Sequence, residues 1–413
     1  MALHSRKGLI ISCLIAVATL HGLIFATAQD VERFVSSDMA ALFKMHKHWL
    51  TLALYFSATL TALLNQWWSR IWGIKKILLT GLTANFIGLA FFYLCNLFAP
   101  GSWISYATIF CGMILLGSAI ASIATVLATY VVIEFPKYLA LGLILLYSCL
   151  DVGIMVAMPL LQYFSKASTS GFYLITLAVL MGCLMLILRK HFKAPEVPRQ
   201  LDVLRQGSLL WKELRHRMGF FIVGMVFYGM IEYTFNIMGF RFLKDTISAQ
   251  VAGSSVFFFW LALTLGQIAL GVPAFWIRPA NVLKILPLFI LLALILIPFQ
   301  TDPSSFLLVF IIGGIGCSAV FPLLISMIQL DLLYIDRQEH TTKIIPYVEA
   351  ACGYMVASYS FGIGLIALAS DFIFSGASGL PLLIFNIGIG LAVALWLLVL
   401  YLDKTSPQKT QSL

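Results

Sequence analysis

The chain reads as an all-α integral membrane protein of twelve transmembrane helices, six on either side of a basic linker. Three observations predict this. Apolar residues make up 61% of the 413 positions and charged residues only 10%, where a soluble domain carries about 25% charged residues. Twelve stretches come close to the ~20 apolar residues that a spanning helix needs. One long polar interruption, residues 189–218, parts them six and six. With a mean hydropathy of +0.99, the apolar side chains face lipid and neighbouring helices, not a water-shielded core.

The first stretch, 8–29, follows Arg6-Lys7 and ends near Ala26-Thr27-Ala28, a pattern that imitates a cleaved signal peptide. Gly8 to Phe25 is longer than the roughly 7–15 residues of a signal h-region. Cleavage would also leave an odd number of spans, so this stretch is read as a retained helix. The next five lie near 49–68, 77–99, 104–130, 138–162 and 171–188, giving an amino-terminal set over 1–188. Residues 189–218 form the linker, where Leu204, Leu210, Trp211 and Leu214 alternate with bases, as in a helix lying on a membrane surface. The second set lies near 219–240, 251–276, 282–299, 305–330, 345–370 and 380–402, within 219–413.

Basic residues orient these spans. With the amino terminus inside, the short loops and termini of that side hold Arg6, Lys7, Arg70, Lys75, Lys76, Lys137, Arg278, Lys284, Arg337, Lys343, Lys404 and Lys409. The linker adds eight more, and the opposite side keeps only six: Arg33, Lys44, Lys47, Lys166, Arg241 and Lys244. By the positive-inside rule both termini and the linker are cytoplasmic. The net charge of +9 is thus a topology signal and not a sign of nucleic-acid binding. The seven cysteines lie inside apolar segments without a CxxC pair, so they read as packing residues, neither disulfides nor metal ligands. No P-loop, HExxH or GxSxG motif occurs, which argues against an enzyme, a cofactor or a metal.

Glu232 is the most informative single residue. It stands deep within Val223-Gly224-Met225-Val226-Phe227-Tyr228-Gly229-Met230-Ile231-Glu232-Tyr233-Thr234-Phe235. An ionisable group at that depth costs roughly 2.5–3.5 kcal/mol on insertion scales and usually faces a bundle interior or a solute pathway. Asp151, in the fifth stretch, is equally deep, and neither acid has a Lys or Arg within its own helix core. His21 is the only histidine well inside a span. It is either a proton relay or a neutral imidazole bonded to a carbonyl. Glu349 follows Pro346 in the first turn of the eleventh stretch, where the helix dipole favours an acid, with Lys343 and Arg337 nearby. Asp30, Glu32 and Asp38 read as solvated loop acids, and Trp67, Trp68 and Trp72 as an interfacial belt.

The six-plus-six plan resembles a major facilitator transporter, and several segments resemble its branch of sugar–proton symporters containing bacterial fucose and glucose/galactose permeases. Gly73-Ile74-Lys75-Lys76 with Gly81-Leu82 resembles that branch's G-x-K-K…G-L. Phe227-Tyr228-Gly229-Met230-Ile231-Glu232 is similar to its F-Y-V-G-A-E/Q with one residue fewer. Phe259-Trp260 with Gly266-Gln267 stands where the branch has Y-W and G-R, and Gly316 with Phe321-Pro322-Leu323-Leu324-Ile325-Ser326 matches its G…F-P-x-x-F-S. The chain departs from the branch in its fourth stretch, where Gly117 to Leu127 lacks the acid, Asn and Pro of E/Q-x-A-A-N-P. It also has Arg70 where the superfamily loop motif has Asp, and Gln267 in place of Arg.

The resemblance implies two pseudo-symmetric six-helix bundles, the major facilitator fold. It also implies a cavity lined mainly by the first, fourth, seventh and tenth helices, where the substrate site lies at the midplane. Helical spacing sets polar stripes on those elements: His21, Phe25 and Gln29; Ser122, Thr125 and Thr129; Tyr228, Glu232 and Asn236; Trp260, Thr264 and Gln267; Pro322, Ser326 and Gln329. Glu232, Asp151, His21, Gln29, Tyr228, Asn236, Trp260, Gln267 and Ser326 are therefore the expected substrate- or proton-binding residues. The expected function is secondary transport of a small polar solute by a monomer in a bacterial inner membrane, as proton-coupled import. An exporter, an importer of a larger siderophore- or drug-like metabolite, and a non-transporting receptor on the same fold are the alternatives.

Overall fold

The computed structural model of the chain describes residues 2–29, 40–95, 102–164, 167–192, 208–271, 273, 276–339, 345–374 and 381–406. The outer-loop residues Asp30, Glu32, Arg33 and Asp38, the linker residue Leu204, and Lys343 lie outside them. Every regular element among the described residues is helical. A helix satisfies its backbone polar groups within the segment, which lipid requires.

Six helices precede the linker: α1 (Ala2–Gln29), α2 (Ala40–Trp72), α3 (Ile74–Leu94), α4 (Trp103–Glu134), α5 (Leu139–Tyr163) and α6 (Ala167–His191). Between α2 and α3 stands Gly73 at φ 81°, a backbone conformation that a β-carbon disfavours. Its N–H closes α2 on the Ser69 carbonyl at 2.7 Å.

The second set departs from expectation in five places. Residues 208–218, assigned to the linker from sequence, are the first turns of α7 (Ser208–Tyr233), so no separate surface helix forms there. α7 continues through a π-helical turn, Thr234–Met238, into α8 (Gly239–Thr246). α9 (Ala249–Gly271) stops ahead of Pro273 and does not reach 276. The ninth stretch is three pieces: α10 (Pro279–Leu283), α11 (Leu286–Leu296) and a 3-10 turn, Ile297–Phe299. Pro287 and Pro298 sit in the first turns of the last two, where a missing N–H is tolerated. The tenth stretch breaks between α12 (Pro303–Cys317) and α13 (Val320–Glu339), because Pro322 cannot donate to the carbonyl of Ser318. α14 (Ile345–Phe374) and α15 (Pro381–Lys404) complete the chain. Asp302 caps α12 through the Ser305 N–H at 3.0 Å, and that bond holds its carboxyl below the usual range.

Among the described residues, eleven of the twelve helical paths are long and apolar enough to cross a membrane, the broken tenth stretch counting as one path, Pro303–Tyr334. The twelfth path, α2, has the length at 33 residues but carries Thr51, Thr59, Thr61, Asn65 and Gln66 in its expected span.

The chain divides into two compact units, Met1–Tyr130 with Cys149–Val197, and Val131–Ser148 with Pro198–Leu413. Within each, backbones touch where glycine removes the β-carbon. In the first unit, a Cβ on Gly22 of α1 would lie 1.9 Å from the Leu150 carbonyl oxygen of α5, and one on Gly153 would lie 1.9 Å from that of Thr19. In the second unit the same reciprocity joins α7 to α14: Gly229 against Tyr359 O at 2.5 Å, Gly362 against Val226 O at 2.2 Å. Gly117 of α4 meets Leu54 O of α2 at 2.0 Å, and Gly314 of α12 meets Phe259 O of α9 at 2.3 Å. In both units, therefore, the first and fifth spans of a set touch at paired glycines, and the second and fourth at one.

Charged groups gather at one end of the second unit. Arg217 of α7 pairs with Asp331 of α13 at 2.6 Å and donates to the hydroxyl and carbonyl of Thr405 beyond α15. Ser406 Oγ donates to the other Asp331 oxygen at 3.1 Å. Lys284 pairs with Asp403 at 2.6 Å, and Trp396 Nε1 donates to the Lys284 carbonyl at 3.0 Å. These bonds place the start of α7, the α10–α11 junction and the end of α15 at one level.

The glycine contacts generate a stability test. Gly153→Val and Gly362→Val should each lower the thermal midpoint of the purified protein, overpacking costing about 1–3 kcal/mol. Gly182→Ala, where nothing lies within 4 Å of an added Cβ, should leave it unchanged. Fluorescence-detected size-exclusion melts measure both.

Candidate functional site

The crossing of α7 and α14 builds the centre of the site. Glu232 lies three residues after Gly229, and Tyr359 three residues before Gly362, so close backbone contact brings the two side chains together. Tyr359 Oη donates to Glu232 Oε1 at 2.5 Å. Glu232 is only 6% exposed, and Tyr359 is half-buried, the more accessible of the pair. Tyr228, one turn before Glu232 on the same face, donates its hydroxyl to the Cys317 carbonyl at 3.1 Å. Cys317 is the last residue of α12, at the break in the tenth span. The Tyr228 hydroxyl also lies near the Glu232 carboxyl.

Aromatic rings wall this carboxyl. Tyr228 and Tyr359 stack at 5.9 Å between centroids. Phe321 of α13 meets Tyr359 edge-on at 4.9 Å, and Tyr147 meets Phe321 at 4.6 Å. Such edge-to-face contacts fix ring positions beyond what burial alone would do. A carboxyl among hydroxyl donors and ring faces can hold a proton, or stand against a cationic group of a solute.

The other expected residues of this unit fall into separate pairs. Asn236 lies inside the π turn and accepts from Trp260 Nε1 at 3.2 Å. Gln267 Oε1 accepts from Ser148 Oγ at 2.9 Å. Ser326 is fully buried, and its hydroxyl has no hydrogen-bond partner among the described residues. Gln329 is turned to the Val348 carbonyl at 3.0 Å.

In the first unit, His21 is buried with its imidazole against the backbone of Ile120 of α4, and its Nδ1 has no partner among the described residues. Asp151, 6% exposed, follows Leu150 at the α1–α5 glycine contact. Gln29 Nε2 donates to Tyr55 Oη of α2 at 2.8 Å, with Phe25 edge-on to the same ring at 6.5 Å. Ser122 Oγ reaches Asn65 Oδ1 at 3.4 Å, while the hydroxyls of Thr125 and Thr129 are buried without a partner among the described residues. Glu349 is buried in the first turns of α14. No cluster of three His, Cys, Asp or Glu side chains suited to a metal occurs among the described residues.

Sequence reasoning missed Tyr359, Phe321 and Tyr55. Tyr359 is separated from Glu232 by 127 positions. The available signal was Gly229 and Gly362, each one turn from the residue it helps to place.

A family model of the Major Facilitator Superfamily matches residues 34–333. Among solved structures, a single-site variant of the Escherichia coli fucose:proton symporter FucP matches with a TM-score of 0.73 at 12% identity, over 95% of this chain and 98% of that one. A second structure, FucP in the outward conformation, matches with a TM-score of 0.72 at 13% identity, over 94% and 98%. At these identities the likeness is one of fold. A search of curated proteins finds no match.

The Tyr359 bond generates a spectroscopic test. In infrared difference spectra, the Glu232 carboxyl band, identified by its loss in Glu232→Gln, should move to higher wavenumber in Tyr359→Phe. The same substitution should cost about 1–3 kcal/mol of stability, the price of a buried acceptor left short of a donor. An unmoved band would mean that the tyrosine does not bond the carboxyl.

Proposed function

The chain belongs to the major facilitator superfamily and has its twelve-helix fold, and we propose that it is a proton-coupled importer of a small polar solute. The observation that carries this reading is Glu232, buried within α7 and hydrogen-bonded to Tyr359. Among the described residues no Lys or Arg bonds to it. A charge held at such depth is costly, and a bound proton removes that cost without a counter-ion.

The two tyrosines give the proton a consequence. The Cys317 carbonyl can only accept, so the Tyr228 hydrogen is committed to it. Toward Glu232, Tyr228 then offers a lone pair, which suits a protonated carboxyl that donates. Tyr359 meanwhile donates to Oε1. Loss of the proton leaves two acceptors facing one another, and Tyr228 relieves this by turning its hydroxyl from Cys317 to Glu232. That exchange loosens α7 from the end of α12, at the break in the tenth span. Proton release is thereby coupled to a helix that already bends.

On this reading the halves 1–188 and 219–413 rock about a midplane site in a bacterial inner membrane, with both termini and the linker cytoplasmic. Asp151, His21 and Gln29 border the pathway from the first half. The basic-residue asymmetry supports the orientation, and the polar stripes support the pathway. FucP, which has the same fold, is a fucose:proton symporter, and this supports coupling to protons. The departures in the fourth stretch speak against carrying over its sugar.

In proteoliposomes screened with a metabolite panel, Glu232→Gln should abolish accumulation driven by a pH gradient while keeping exchange at equal pH. Gln keeps the shape and hydrogen-bonding capacity of a protonated Glu but cannot give up a proton. Asp151→Asn serves as the comparison. Should Asp151→Asn lose accumulation while Glu232→Gln keeps it, the coupling site lies in α5. Unaffected transport in both would remove proton symport through these acids.

A further inference from the structure

A lateral apolar groove of about 790 Å³ opens on the surface of the second unit, between α9, the α10–α11 pair and α12. Phe258, Leu265, Leu270, Ile277, Phe289 and Ile315 are among its walls, and Asn281 is the only side chain with a polar group that lines it among the described residues. Several of these residues face outward; Leu265 is 56% exposed. From Phe258 to Leu270 the α9 wall extends about 18 Å at 1.5 Å per residue. That is close to the depth of one leaflet of a ~30 Å hydrocarbon core.

The end of the groove near Asn281 is the end where charged residues gather. Asn281 Oδ1 accepts from Lys284 Nζ at 3.3 Å, and Lys284 is paired with Asp403 at 2.6 Å, so that cation is already matched. Arg278 is different. It is exposed, three residues before Asn281, and has no hydrogen-bond or ion-pair partner among the described residues. Trp276, 80% exposed, stands beside it, a residue type that sits at headgroup level. The groove therefore offers an apolar slot one leaflet deep, and its lining residue Ile277 is flanked by an exposed indole and by a guanidinium unmatched among the described residues.

We propose that this groove is a binding site for an anionic phospholipid, with an acyl chain along α9 and the phosphate on Arg278. Guanidinium matches phosphate oxygens in a two-bond fork, which an ammonium does not. A zwitterionic lipid brings its own cation to the same rim and gains less. A second copy of the chain, docked about a two-fold axis along the membrane normal, would bring another Arg278 toward the first instead of an anion. The proposal is independent of the role given to Glu232.

Native mass spectrometry of the full-length protein, delipidated and offered phosphatidylglycerol or phosphatidylethanolamine, tests it. Wild type should retain phosphatidylglycerol preferentially, and Arg278→Gln should weaken that binding about fivefold, equivalent to ~1 kcal/mol per basic residue at an anionic surface, without changing phosphatidylethanolamine. Ala269→Trp, which fills the groove from its exposed wall, should reduce retention of both lipids while leaving Arg278 in place. Equal retention of the two lipids by wild type would overturn the proposal. So would phosphatidylglycerol binding that Arg278→Gln leaves unchanged, or a dimer that excludes lipid from the groove.

Discussion

Backbone resting on backbone at glycine is the contact on which the rest of this structure depends. In lipid no hydrophobic effect draws helices together, so association relies on close packing, and small residues permit it. Gly22 with Gly153 and Gly229 with Gly362 bring the first and fifth spans of each set within reach of one another's carbonyls. Any side chain at those positions would separate the helices, and in the second unit it would carry Tyr359 out of range of Glu232. The hydrogen bond at the site is thus downstream of the glycine contact.

Departures from ideal helix concentrate around that bond. The π turn begins two residues after Glu232, and the α12–α13 break follows Cys317, the residue whose carbonyl holds Tyr228. Helices bend at prolines and π turns because one backbone bond is missing or displaced there. The Tyr228–Cys317 bond joins one such place to the other. A change at the carboxyl then meets two elements that already lack a continuous ladder, and so can move at lower cost than an intact helix.

The sequence carried the fold through composition alone, since helix is the only regular structure a lone lipid-facing segment can adopt, and Glu232 and Tyr228 could be picked out because a buried acid in an apolar run demands an explanation. The internal breaks were legible only in part. Pro287, Pro298 and Pro322 were visible, yet a continuous apolar run hid their effect. The π turn at Thr234–Met238 left no residue signature. The partner of Glu232 was illegible for another reason: pairing over 127 positions is set by helix packing, and no local pattern records it. The start of α7 was set too late because Ser208 to Met218 is polar enough to read as linker, although the helix runs on unbroken from Ser208.

The chain also keeps its charges in two different regimes. At the end where α7 begins, Arg217 with Asp331 and Lys284 with Asp403 are matched pairs, each acid held by a cation. Breaking such a pair strands the surviving charge, so the contacts act as fixed ties. Glu232 is given tyrosines instead. A cation there would lock the carboxylate in its charged form, whereas hydroxyls can donate to it or accept from it. The same protein thus has ion pairs at one end of the second unit and phenols around the acid in the middle of α7.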